Sequence, residues 1–125
     1  MISKELEGYL NNAVEEANKR RHEFVTLEHV LYALLDDPII HNIIEGLSGS
    51  VEKIRADLEK FFNEKMEAVP GGKPIKAKPT ISFQRVLQRA AQHVLSAGKN
   101  KINAESVYIA IFSEKESIAC YFIEL

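Results

Sequence analysis

Residues 83–110, FQRVLQRAAQHVLSAGKNKINAESVYIA, lie without a gap over residues 6–33, LEGYLNNAVEEANKRRHEFVTLEHVLYA. Leu6, Leu10, Ala13 and Ala17 fall on Phe83, Leu87, Ala90 and Val94, each 77 positions further on. The same shift carries Val25-Thr26 onto Ile102-Asn103, Glu28 onto Glu105, Val30 onto Val107 and Ala33 onto Ala110. Two amphipathic helices of any origin share some apolar positions, because both repeat at about 3.6 residues per turn. A shared cap residue and a shared first-turn acid go beyond that. The correspondence marks an internal duplication.

Working outward, the apolar spacing predicts a first helix over residues 3–20, with Glu15–Lys19 and Glu16–Arg20 as i,i+4 pairs on its wet side. Residues 21–25 break the pattern, and Thr26 is a good N-cap for a helix over 27–35. Pro38 suits the first turn of a third helix, which Gly46 and Gly49 bracket at its end. Val51, Ile54, Leu58 and Phe61 stripe a fourth over 50–66, with Lys53–Asp57, Arg55–Glu59 and Lys60–Glu64 outside. Residues 69–78 hold two glycines, two prolines and three lysines, and read as a flexible loop.

In the second copy Ser82 is placed to cap a helix bearing Phe83, Leu87, Ala90 and Val94, with Gly98 at its C-terminal cap. Asn103 caps a helix over 104–112, and a last helix is expected over 116–125. Strand-like alternation occurs only briefly, around residues 101–103. The expected fold is all-α: one domain over residues 1–125, with repeat 1 at about 3–67, a loop at 68–80 and repeat 2 at about 81–125. Each copy buries its stripes against the other about a pseudo-twofold axis. The second copy has no counterpart to the helix at 50–66, so an eighth helix is missing before Leu125.

A 46% hydrophobic and 27% charged composition suits a globular chain with a wet exterior, not low-complexity disorder. Sixteen basic against eighteen acidic side chains give a net charge of −2, no broad electrostatic reason to bind nucleic acid or an anionic membrane. The one cysteine, Cys120, cannot form an intramolecular disulfide, and neither a secretory signal nor an apolar run of about 20 residues is present. A cytoplasmic setting and a monomeric domain are expected.

The run Arg21-His22-Glu23-Phe24-Val25-Thr26-Leu27-Glu28-His29-Val30-Leu31 resembles the RHEF-hydrophobic-T-hydrophobic-EH signature of the Clp N-terminal repeat. In the second copy, residues 80–90 with His93-Val94, and Ala110-Ile111-Phe112-Ser113-Glu114 with Glu116-Ser117, look like the ClpA branch. The first motif is shared with ClpC and, more loosely, ClpB; the Ser82-Phe83-Gln84-Arg85 run favours ClpA. The resemblance implies a mobile appendage on a hexameric AAA+ ring that hydrolyses ATP and feeds unfolded protein to the ClpP peptidase. It implies binding of the ClpS adaptor and direct contact with some substrates. ATP and Mg²⁺ would belong to ATPase modules beyond Leu125, and no cofactor is expected within residues 1–125.

Arg85 and Arg89 lie one helical turn apart, opposite the apolar stripe, with no acid four residues away. Spacing alone favours an ordinary solvated face; by resemblance the start of this helix belongs to the adaptor-binding surface. Both arginines are then open to a partner's carboxylate. Glu23 and Glu28 would complete a mixed-charge patch, although Glu28 also suits a first turn, where the helix dipole favours an acid. Thr80, Ser82 and Gln84 would form its polar rim. Phe24 and Val25 are candidates for its apolar centre, with core burial expected for both.

Other signals are weaker. His22, Glu23 and His29 miss the His-Glu-x-x-His spacing, which leaves structural histidines or an adventitious zinc. His41 and His93 read as surface or cap residues, and Cys120 as a small buried side chain. Gly71-Gly72-Lys73-Pro74 lacks the first glycine and the Ser or Thr of a phosphate loop. No catalytic or metal-binding residue is expected. The rivals are a ClpC- or ClpB-type domain engaging other adaptors or substrates, a stand-alone small helical enzyme or regulator, and a helix-turn-helix DNA binder. The last is disfavoured by apolar, acidic second helices in both copies.

Overall fold

Helix α1 spans Lys4–Lys19 and α5 spans Ile81–Ser96, while α2 spans Leu27–Leu34 and α6 spans Ala104–Ile111. Both ends of both pairs differ by the 77 positions read from the sequence. Between them lie strand β1 (Phe24–Val25), helices α3 (Pro38–Gly46) and α4 (Val51–Glu64), and strand β2 (Lys78–Pro79). The computed structural model describes residues 1–112 and Glu114. The helix expected over 116–125, and Cys120 within it, lie outside the described residues.

The repeat extends to the caps. Ser3 Oγ accepts from the Leu6 N–H at 3.2 Å, and its counterpart Thr80 Oγ1 accepts from Phe83 N–H at 3.1 Å. Thr80, not Ser82, therefore caps α5, because the helix begins one residue before Ser82. At the other end, Arg21 (φ 59°) and Gly98 (φ 76°) both enter the left-handed region. His22 N–H then donates to Ala17 O at 2.9 Å and Lys99 N–H to Val94 O at 3.0 Å, the closing bonds of matched Schellman caps.

Two short parallel bridges relate the copies. Ile2 pairs with Ile102, and Val25 pairs with Pro79. Moving each residue by the repeat shift turns one bridge into the other with its members exchanged. Ser3 N–H donates to Ile102 O at 2.9 Å, and Thr80 N–H donates to Val25 O at 3.1 Å. Each copy lends its leading strand to the other, as a pseudo-twofold axis requires. Leu6, Ala13, Ala17 and Val30 are buried, as are Phe83, Ala90, Val94 and Val107, and the copies close on a dry seam.

The copies differ in what covers the second helix. In repeat 1, α4 brings Phe62 against His29, with centroids 4.7 Å apart and planes 6° from parallel, and edge-on to Tyr32 at 5.6 Å. Tyr32 and Leu35 correspond to Ile109 and Phe112, and among the described residues no fourth helix covers these. Phe112 is accordingly 38% exposed, against 1% for Leu35. On α4, Lys53–Asp57 and Lys60–Glu64 pair as expected. Arg55 turns instead to Asp36 at 3.2 Å, while Glu59 accepts from the Tyr32 hydroxyl at 2.7 Å.

The loop expected to be a flexible tether is tied down. Arg21 Nε and Nη1 donate to the carbonyls of Val69 and Lys73 at 2.9 and 2.8 Å. Asn18 Oδ1 accepts from Ala77 N–H at 2.7 Å. These bonds steer the chain into β2.

Candidate functional site

Strand pairing decides which residues share a surface. Phe24 lies opposite Lys78 and Val25 opposite Pro79, and Lys78 N–H donates to Glu23 O at 3.1 Å. Residues some 55 positions apart in sequence, Glu23 and the start of α5, thereby form one edge. Successive strand residues face opposite ways, so Val25 is buried and Phe24 is 43% exposed. Core burial thus holds for Val25 and not for Phe24. Ile81, at the first turn of α5, is 76% exposed. Ile81, Gln84, Arg85 and Gln88 recur at three- and four-residue steps on the outer face of α5, and all are exposed.

The residues singled out from sequence separate here. Glu23, Gln84 and Arg85 are exposed on this edge, with Ser82 half-buried beside Arg85, whose Nη2 lies 3.4 Å from Ser82 Oγ. Thr80 is a half-buried cap. Glu28 is only 8% exposed, sits in the first turn of α2 and is engaged within the domain, so it does not join the exposed patch. Arg85 and Arg89 are not without an acid: Arg85 Nε donates to Glu114 Oε1 at 2.6 Å, and Arg89 Nη1 lies 3.8 Å from Glu114 Oε2. That carboxylate comes from beyond α6, where an i,i+4 search on one helix does not look. Arg85 remains half exposed and keeps donors for a partner.

Ile81 was not singled out from the sequence, and Phe24 was offered as an apolar centre with core burial preferred, though a signal for both existed. Their repeat counterparts are Lys101 and Lys4, both exposed. An apolar residue aligned with a lysine in a duplicated fold marks a position facing water in both copies. The twofold-related edge therefore has similar backbone geometry and a different chemistry. Lys101, Lys4, Glu5 and Glu7 stand where the first edge has Phe24, Ile81, Ser82 and Gln84.

Directly behind β1 lies a histidine relay. Thr26 N–H donates to His29 Nδ1 at 2.9 Å, and His29 Nε2 lies 2.8 Å from His22 Nδ1. Burial pushes the His29 imidazole down to about 3, reinforced by the nearby His22 and Arg20 charges. His22 is also held below its ordinary value, first by burial and then by Arg20. Both rings are neutral at pH 7, with their ring nitrogens used by one another and by the backbone. Unfolded His29 takes up a proton below about pH 6.5 while the folded side chain resists to about pH 3. Stability is therefore full above pH 6.5 and falls with acidification, by about 1.4 kcal/mol per pH unit for one such group. Urea unfolding at pH 5 is expected to give about 2 kcal/mol less than at pH 7.

Among the described residues no group of three His, Cys, Asp or Glu side chains is placed to hold a metal, and no helix is long and apolar enough to cross a membrane. Gly71-Gly72-Lys73-Pro74 precedes a strand instead of following one, and the Lys73 carbonyl is occupied by Arg21.

Residues 1–124 match the Clp repeat (R) N-terminal domain. The chain belongs to the Clp N-terminal repeat family. Among curated relatives of this Clp domain, a ClpA homolog protein of Fuscovulum blasticum is 40% identical over 124 residues. That alignment covers 98% of this chain and 16% of the relative. Chaperone protein ClpB of Chlamydia trachomatis is 26% identical over 115 residues, covering 90% of this chain and 13% of that protein. The Hsp104 N-terminal domain from Candida albicans superposes with a TM-score of 0.83 at 12% identity, over 98% of this chain and 79% of that one. This Clp domain thus spans a small fraction of the ClpA- and ClpB-type chaperones it resembles, and shares its fold with the Hsp104 N-terminal domain.

Proposed function

We propose that this Clp repeat domain is the adaptor- and substrate-docking appendage of a ClpA-type AAA+ unfoldase that delivers proteins to the ClpP peptidase. A ClpS-type adaptor seats on the edge built by β1 and the start of α5. The domain itself contributes no catalytic group; ATP hydrolysis belongs to the ATPase modules of the parent protein. The observation that carries this reading is the asymmetry between the two twofold-related edges. Among the described residues, the β1–α5 edge joins exposed Phe24 and Ile81 to Arg85 and Glu23, whereas its counterpart has lysines at the Phe24 and Ile81 positions, beside exposed Met1 and Ile2. An apolar centre with a charged rim is the anatomy of a protein-docking site, where the centre supplies affinity and the rim sets orientation and on-rate. The 40% identity to a ClpA homolog supports the ClpA assignment over the more distant ClpB relatives.

Calorimetric titration of the domain with purified ClpS tests the reading. Arg85→Glu is expected to weaken binding about tenfold, by repelling the carboxylate it would otherwise meet. Glu23→Lys is expected to weaken it by a similar factor. Saturable binding that neither substitution changes would move the docking surface elsewhere. Absence of binding to ClpS, with capture of unfolded polypeptide retained, would favour direct substrate engagement of the ClpB kind.

A further inference from the structure

We propose that the His22–His29 relay is an acid-released latch: while both rings are neutral it pins residues 22–26 in place, and proton uptake frees that segment while the helical core stays folded. The hydrogen bonds fix where the protons sit. A backbone N–H can only donate, so His29 Nδ1, 2.9 Å from Thr26 N, is an acceptor and its ring carries hydrogen on Nε2. That Nε2–H then donates to His22 Nδ1 at 2.8 Å. The remaining His22 nitrogen therefore carries the hydrogen. Each ring has one acceptor nitrogen, and both are used.

A proton arriving at either acceptor turns it into a donor facing another donor. At His29 the Thr26 hydroxyl, 3.0 Å from Nδ1, could accept from the new N–H, but Thr26 N–H would lose its partner. At His22 the bond between the rings is lost outright. The added charge also has nowhere to go. His22 and His29 are 2% and 0% exposed, and His29 is stacked on Phe62. Arg20 already sits over the same Phe62 ring at 4.9 Å, a like charge. The acids facing the cluster are committed: Glu16 of α1 accepts from Arg20 at 2.5 Å, and Glu59 of α4 accepts from Tyr32 of α2 at 2.7 Å. Tyr32, edge-on to Phe62, is a further titratable group beside the cluster. Relief requires His22 or His29 to reach water, and both anchor the segment that bears Glu23, Phe24 and Val25.

The duplication supplies an internal control. The counterparts of His22 and His29 are Lys99 and Ser106, so the twofold-related segment, residues 100–103, has no relay. It should hold where residues 23–26 let go. The importance of the released edge rests on the docking proposed above; the latch exists in the unbound domain, and either idea can fail alone.

The test is NMR on the ¹⁵N-labelled 125-residue chain between pH 7.5 and 4.5. At pH 7.5 the imidazole nitrogens should report neutral His29 and His22 with hydrogen on Nε2. Amide protection factors, corrected for intrinsic exchange, should fall at least tenfold for Phe24, Val25 and Thr26 before those of Ile102 or of core Leu58 and Val86 change. His29→Gln should abolish most of that difference, because a glutamine three residues into the helix still accepts from the cap N–H and does not titrate. Loss of protection at both edges together, or only with the core, would overturn the latch. So would a ring titrating near its ordinary value with residues 23–26 undisturbed, an outcome readable in the parent chain even if the variant fails to fold.

Discussion

Phe62→Ala is expected to lower the free energy of unfolding by about 3–5 kcal/mol, the range for deleting a fully buried aromatic side chain. Several groups lean on this ring, His22 among them at 5.9 Å. His29 stacks on one face, Tyr32 meets it edge-on, and Arg20 lies over it at 4.9 Å. Truncation leaves a void beneath the histidine relay as well as removing apolar contact, and a neutral pair that depends on staying dry is then open to water. With single domains typically stable by about 5–15 kcal/mol, the variant should be partly unfolded near 40 °C. Phe61→Ala is the comparison. Phe61 is half-buried next to it on the same helix, and its truncation should have well under half the effect. Urea unfolding followed by circular dichroism checks both. A loss below about 1 kcal/mol for Phe62→Ala would mean that α4 is a dispensable flap and not part of the core.

Phe24→Asp should leave stability nearly unchanged and weaken adaptor binding about a hundredfold, or roughly 2.8 kcal/mol. The fold tolerates it because the side chain faces out from β1, and the strand's hold on β2 runs through main-chain bonds from Lys78 and Thr80. Binding does not tolerate it, because the apolar centre of the docking edge would carry a charge that must be desolvated without a partner. Lys101→Asp, its twofold counterpart, should change neither quantity by more than a factor of about two, since a substitution outside the docking surface usually has little effect. Equal losses from the two variants would place the adaptor across both edges. An unaffected Phe24→Asp would remove the apolar centre from the account.

How far the sequence reached depends on the range of the interaction. The first helix was legible to within a residue at each end because spacing and caps are local, whereas the start of α5 at Ile81 was set too late by the expected Ser82 cap. The Thr80 cap is the repeat counterpart of Ser3, but Ser82 was expected in its place because both residue types can cap. Glu114 was not legible as the partner of Arg85 and Arg89, since a carboxylate some 25–30 residues away leaves no periodic trace. Nor was the loop's attachment through Arg21, where side chain meets backbone carbonyls and composition alone suggested flexibility. For Phe24, core burial was expected over a place in the apolar centre of the docking patch; its position in β1 beside buried Val25 turns it outward. The spacing of the histidines gave no sign that they touch; their contact follows from the Schellman turn at Arg21 and the cap at Thr26.

The account stands on one pseudo-symmetric scaffold offering a single docking edge. The most direct measurement is an NMR titration of the ¹⁵N-labelled domain with unlabelled ClpS, followed amide by amide. The expected result is shifts or broadening at Glu23, Phe24, Lys78, Ile81, Gln84 and Arg85, with Lys4, Glu7 and Lys101 unmoved. Perturbations centred on the Lys4–Lys101 edge, or spread evenly over both, would contradict it.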